Sequence, residues 1–280
     1  MFVSENQDLG IKETRMVVAA IRVGHGDDFT DFNLGVLSRR FAMVMTRLGV
    51  RQVDTLCDIL SGGDARFYDR FLAELVPPTT ELLRDPTFWK LLKEEILPML
   101  LKQFGELRIL QLALGSGEEL YSLLIVLHLL GVRDRVSISS AYACEQNLSL
   151  VQGGLLSTRR KDLDENNFHA LGTQSPYDVF VDSERDIPAF RVEYLQGVRF
   201  FRLSPEFSLQ KEGVFHLILC RNQFLYFNPQ LGIRNMVVLF RSLVGGGALA
   251  LGTKENLESY QNDSTFTVLN GDESLYRKRL

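Results

Sequence analysis

The residues best placed to do chemistry are Glu118 and Glu119, adjacent carboxylates that directly follow the small-residue turn of Gly115, Ser116 and Gly117. An apolar run over residues 107–114 precedes the turn and an amphipathic stretch continues to Gly131, a pattern that reads as strand, tight loop and helix. Glycine has no Cβ, so a ligand can lie against this backbone, and the two carboxylates sit where the helix begins. Two negative charges repel a phosphate. The guest they suit carries a positive group, such as the ammonium of an amino acid, and the GxxxxGK[ST] string of a phosphate-binding loop is absent. A plain β–α connection has the same outline in most α/β proteins, so the turn alone leaves both readings open.

Composition limits what can surround this turn. The chain has 280 residues, 45% hydrophobic and 24% charged, which suits one large domain or two smaller ones with a substantial core. A net charge of −4 gives no overall attraction to nucleic acid or to an anionic membrane. Cys57, Cys144 and Cys220 are far apart with no CxxC, and the four histidines form no HExxH, so neither a disulfide framework nor a metal centre is expected. No stretch of about eighteen apolar residues and no basic, apolar leader occurs, so a soluble, cytoplasmic monomer without membrane insertion is expected.

The first 75 residues read as helical. Residues 12–23 predict a short helix stopped by Gly24, His25 and Gly26. Over residues 31–48, Leu34, Leu37, Phe41, Val44 and Leu48 fall on one stripe, with Arg40, Arg47 and Arg51 within about 40° of one another beside it at 100° per residue. That basic edge is either a solvated face or a docking surface for an acidic partner. Shorter helices over 53–60 and 65–75 follow. Pro77 and Pro78 forbid helix, so residues 76–86 read as a linker between a helical domain at 1–75 and a second domain at 87–280. There a helix over 86–101 carries Trp89, and strands and helices alternate over 107–114, 119–130, 136–141, 143–152, 214–220 and 228–243. Alternation of this kind predicts an α/β domain with a doubly wound, mostly parallel sheet. Residues 178–182 and 190–194 predict a small antiparallel insertion within 174–201, residues 245–252 a glycine-led strand, and residues 266–268 with 275–276 a closing hairpin.

Three strings carry a family resemblance: Gly117-Glu118-Glu119-Leu120-Tyr121-Ser122, then Cys220-Arg221-Asn222-Gln223-Phe224-Leu225-Tyr226-Phe227, then Gly252-Thr253-Lys254-Glu255-Asn256-Leu257. With these in order, and Leu275-Tyr276-Arg277-Lys278 at the end, the chain resembles the CheR family of chemotaxis receptor methyltransferases over nearly its whole length. The resemblance implies a small N-terminal helical domain followed by a Rossmann-like class I S-adenosylmethionine methyltransferase sheet with a small antiparallel β insertion. It also implies methylation of glutamate side chains on the cytoplasmic domains of chemoreceptors, with S-adenosylmethionine as cofactor and S-adenosylhomocysteine as product. Carried onto this sequence, it has Glu118 or Glu119 accept hydrogen bonds from the methionine part of the cofactor, beside Gly115 and Gly117. Arg221 and Asn222 would lie at a strand end beside it, and Tyr226 near the transferred methyl group. Thr80 and Arg84 match the family's Thr-x-Phe-Phe-Arg segment, and Arg84 either holds the substrate carboxylate through its fork of donors or pairs structurally with Asp85 or Glu81. Arg40, Arg47 and Arg51 would then dock on the receptor or a related signalling protein.

The departures from the family gather on the cofactor side. Where the family places an aspartate for both ribose hydroxyls this chain has Tyr142, with Glu145 as the nearby replacement; where it has an Asn-Leu pair bordering the adenine this chain has Ser204-Pro205, and Pro78 replaces an asparagine. Losing charge-assisted bonds of about 1.5 to 3 kcal/mol each weakens binding by one to several powers of ten. Two functions therefore stand: an active methyltransferase of chemoreceptor glutamates, and a CheR-like binding module with impaired catalysis. No GxGxxG follows a strand, which disfavours a dinucleotide oxidoreductase.

Overall fold

The computed structural model describes residues 8–76, 80–112, 115–204, 207–209, 211–255, 257 and 265–280. Pro77, Pro78 and Pro205, which carry part of the expected linker and two of the departures, lie outside the described residues.

Four helices open the chain: α1 (Ile11–His25), α2 (Leu34–Leu48), α3 (Val53–Ser61) and α4 (Ala65–Leu75). Their boundaries follow from local chemistry. The Asn33 side chain accepts from the amides of Gly35 and Val36 to start α2, Asp64 does the same for Arg66 and Phe67 at α4, and Gly26 and Gly49 end α1 and α2 in the left-handed region. Their apolar stripes close on one another around Ile21, Phe41, Leu56 and Phe71. Arg51 falls beyond the end of α2 and is exposed, so it does not share the Arg40–Arg47 edge that helical spacing assigns it.

The helix expected over 86–101 runs to Phe104 as α5 (Pro86–Leu91), a π turn (Leu92–Ile96) and α6 (Leu97–Phe104). Then come β1 (Leu107–Gln111), α7 (Glu118–Leu129), β2 (Val136–Tyr142), α8 (Glu145–Gly153), α9 (Lys161–Ala170), the short β3 (Val181–Asp182) and β4 (Ala189–Phe190), and β5 (Val198–Arg202). The chain finishes with β6 (Phe215–Leu219), α10 (Pro229–Ser242), β7 (Leu243–Ala250), β8 (Phe266–Asn270) and β9 (Leu275–Lys278). Seven strands make one sheet in the order β5-β2-β1-β6-β7-β9-β8. The first five are parallel; β9 runs antiparallel to β7 and β8 antiparallel to β9. Helices cover both faces, so strand residues alternate between two cores: Ile109, Leu217 and Leu219 pack toward α7, and Leu110, Ile218 and Leu249 toward α10.

The expected antiparallel insertion is smaller than its sequence suggests. Only Val181–Asp182 and Ala189–Phe190 pair, while Tyr177–Val179 and Val192–Leu195 form 3-10 turns, and Val198–Arg202 is the edge strand of the main sheet. The turns bring Tyr177, Phe180 and Tyr194 together around Phe168 and His128, which alternating extended residues would hold on opposite faces. No helix among the described residues is long and apolar enough to cross a membrane.

The helical domain is seated on the C-terminal side of the sheet. Asp69 of α4 accepts from the amides of Glu145 and Gln146 at the start of α8, Asn33 N donates to Tyr226 O, Asn228 N donates to Asp31 O, and Asp31 pairs with Arg234 at 2.5 Å. Phe32 meets Phe227 edge to face at 5.3 Å. The loop over residues 26–33 thereby becomes one wall of a cleft over the strand ends.

Candidate functional site

The strand order reverses between β1 and β6, and the connections leaving their C-terminal ends diverge to open a crevice there. A cavity of about 300 Å³ fills it, bounded by the turn after β1, the residues after β6, the 80–84 segment and the α1–α2 loop. Gly115, Gly117, Glu118, Glu119, Arg221 and Asn222, expected at one site, all line it, and so do Thr80, Arg84 and Tyr226. Tyr142 and Ser204 do not: their neighbours Ala143 and Leu203 face the cavity instead, because residues along these extended ends alternate sides. The Tyr142 hydroxyl donates to Glu145 Oε1 at 3.1 Å, and Glu145, the nearby acid, does not line the cavity either.

Gly117 begins α7 with φ of 105°, and a Cβ there would stand 2.7 Å from the Tyr121 ring. Only glycine permits this turn. It delivers Glu118 into a nearly dry position where Ser116 Oγ donates to Glu118 Oε2, while Glu118 Oε1 has no hydrogen-bond partner. Burial pushes the Glu118 carboxyl up to about 7, against the opposing hydrogen bond from Ser116. Glu119 Oε2 accepts from Gln111 Nε2 at 3.4 Å, and its Oε1 lacks a hydrogen-bond partner, with Arg221 Nη1 at 3.9 Å. Burial raises the Glu119 carboxyl too, opposed chiefly by Arg221. Two buried carboxylates, each with one acceptor unused, suit a donor-rich cation.

Arg221 is itself buried, its guanidinium 4.0 Å from the centre of the Phe88 ring and its Nη2 2.6 Å from Asp85 Oδ2. Asp85 and Leu83 adopt positive φ, 56° and 53°. This turn holds because its neighbours clamp it: Leu82 N donates to Asp164, Leu83 N to Ser122, and the Trp89 indole to Arg84 O. Arg84 then projects into the cleft half-exposed, with Glu81 at 3.8 Å and Thr80 Oγ1 at 3.4 Å. Of the two structural partners open to Arg84, Glu81 is the one it meets; Asp85 belongs to Arg221.

Sequence reasoning assigned Glu255 no role, yet its carboxylate accepts from the amides of Asn222, Phe224 and Gly252 at 2.6–2.8 Å. It fixes the turn that presents Arg221, Asn222 and Tyr226, and Asn222 there has φ of 58°. The signal was a lone acid in a Gly-Thr-Lys-Glu string after a strand. Arg40 is also placed differently from expectation: its Nε donates to Leu75 O at 2.8 Å, at the end of α4, and it lines the cleft near Tyr226. Arg47 pairs with Glu74 at 2.8 Å, outside the cleft. Arg40 and Arg47 thus both reach Glu74, one at its carbonyl and one at its carboxylate, and Arg51 lies beyond the end of α2. Burial raises the Tyr226 phenol, opposed by Arg40, so it stays protonated and able to donate.

The cleft fits S-adenosylmethionine: the unused oxygens of Glu118 and Glu119 are acceptors for an ammonium, and Leu203, Phe207 and Phe227 offer apolar cover for an aromatic ring. The family profile described as "CheR methyltransferase, SAM binding domain" matches residues 78–274. A Pseudomonas putida protein named Cher3 is 24% identical, over 95% of this chain and 96% of its own. A Listeria monocytogenes chemotaxis protein methyltransferase is 26% identical over 69% of this chain and 71% of its own, and chemotaxis protein methyltransferase 1 of Pseudomonas aeruginosa 24% identical over 80% and 82%. Because the profile spans more than half of the sequence and includes every cofactor-side residue just described, the chain belongs to the CheR methyltransferase family, with S-adenosylmethionine as its cofactor.

Proposed function

We propose that this protein methylates glutamate side chains on the cytoplasmic domains of chemoreceptors. The observation that carries the reading is that Arg40, Arg84 and Tyr226 share one cleft with the acidic pair Glu118 and Glu119. Cations and a phenol suit a carboxylate substrate; the acids suit the cofactor's ammonium. S-adenosylmethionine, when bound, supplies an activated methyl group.

A glutamate carboxylate is ionised at neutral pH and needs no general base. What the chain must do is orient it and strip its water. Arg84, half-exposed and tied among the described residues only to Glu81 and Thr80, can turn its fork of donors onto an incoming carboxylate. The Tyr226 hydroxyl is the second donor, and Trp89, Phe32 and Phe227 exclude water. Holding attacker and acceptor in line contributes several kcal/mol to lowering the barrier. A binding module without transfer is the second reading, favoured by Tyr142 standing where an acid is expected.

The test is transfer of labelled methyl from S-adenosylmethionine to a chemoreceptor cytoplasmic fragment. A base-labile ester on glutamate, reduced at least tenfold in kcat/KM by Arg84→Ala, is expected. Cofactor binding with no ester formed refutes transfer and leaves the binding module.

A further inference from the structure

The end of β2, where a carboxylate for the ribose is expected, carries none, but an acid from elsewhere in the chain reaches the same place. Asp27, in the loop between α1 and α2, lines the cleft together with Ala143 and Leu203. It is brought there by Arg202 at the end of β5, the register partner of Tyr142: Arg202 Nε donates to Ala143 O at 3.4 Å and its Nη2 lies 3.3 Å from Asp27 Oδ2. The Tyr68 hydroxyl donates to the same Oδ2 at 2.6 Å, and His25 stacks on the Tyr68 ring at 3.8 Å. The Asp27 side chain is only 13% exposed. Oδ2 is therefore fully engaged, while Oδ1 makes no hydrogen bond among the described residues and retains two lone pairs.

We propose that Asp27 of the N-terminal helical domain accepts a ribose hydroxyl of the cofactor, replacing the acid missing from the end of β2. The proposal rests on the cleft being the S-adenosylmethionine site. It makes the helical domain a part of the cofactor pocket, since Asp27 stands on the α1–α2 loop and its hydroxyl donor, Tyr68, on α4. Tyr68 and Arg202 hold Oδ2 and leave Oδ1 as the available acceptor.

The experiment is titration calorimetry of the full-length chain with S-adenosylhomocysteine and its 2′-deoxy and 3′-deoxy counterparts. The wild type is expected to bind S-adenosylhomocysteine about ten- to a hundredfold tighter than at least one deoxy ligand. Asp27→Ala is expected to lose about the same factor toward S-adenosylhomocysteine and to bind all three ligands alike, with isosteric Asp27→Asn falling between. Tyr68→Phe, which removes one hydrogen bond to Asp27 Oδ2 but keeps the carboxylate and its Arg202 contact, is expected to retain part of the discrimination. Undiminished discrimination in Asp27→Ala overturns the proposal while leaving the cofactor site standing. Failure of the wild type to bind S-adenosylhomocysteine at millimolar concentration overturns the site and the proposal together.

Discussion

Replacing Glu118 by glutamine changes one charge at a position that is 1% exposed. The folded carboxyl titrates at about 7 against 4.5 for a solvated one, because burial disfavours its charge. Between these values the folded chain holds a proton that the unfolded chain has released, so stability falls as pH rises through this window. At about 1.4 kcal/mol per pH unit, the cost of the buried charge is about 1 kcal/mol at pH 5 and about 3 kcal/mol at pH 8. Glutamine carries no such cost and keeps an acceptor for Ser116. Urea unfolding of wild type and Glu118→Gln across this range is therefore expected to show the variant gaining about 2 kcal/mol relative to wild type between pH 5 and pH 8. Asp164, Glu119 and Glu255, which burial also raises, titrate in both proteins and largely cancel in the difference. A difference that stays flat with pH would refute the claim that Glu118 is held dry and short of hydrogen bonds.

Gly117→Ala places a methyl 2.7 Å from the Tyr121 ring, which cannot retreat because it stacks on Phe190 at 4.4 Å and its hydroxyl donates to Val151 O at 2.7 Å. Thermal unfolding is expected to show a loss of about 2 kcal/mol; an unchanged midpoint contradicts the turn geometry. Arg221→Leu removes the cation between Asp85 and Glu119 and is expected to cost about 3 kcal/mol in urea, against under about 1 kcal/mol if the pair were solvated. Arg47→Glu with Arg51→Glu is expected to weaken capture of a receptor fragment while leaving S-adenosylhomocysteine affinity unchanged; undiminished capture removes these two arginines from the receptor interface.

The parts of the site built from neighbours in sequence were legible. Gly117, Glu118 and Glu119 announce themselves because a strand, a glycine and a helix start follow in order, and Arg221 to Tyr226 because they leave the next central strand. Helices α2 to α4 were legible because apolar stripes and capping residues are local signals. Asp27 and Glu255 were not, since each acts across the fold: Asp27 meets Arg202 and Tyr68, and Glu255 meets amides at Asn222 and Phe224. Arg40 was misplaced for a related reason. Helical phase puts it beside Arg47, but only tertiary packing brings the Leu75 carbonyl over it. Tyr142 was in the expected strand and on the wrong side of it, and a one-residue step along an extended chain decides that.

Titrating S-adenosylhomocysteine into the full-length protein near pH 6, in two buffers of different ionisation enthalpy, reports affinity and proton release together. If its ammonium is met by Glu118, binding is micromolar and releases close to one proton at about pH 6, falling toward none by about pH 8. Binding without proton release, or no binding at millimolar ligand, contradicts the assignment of the acidic end of this cleft.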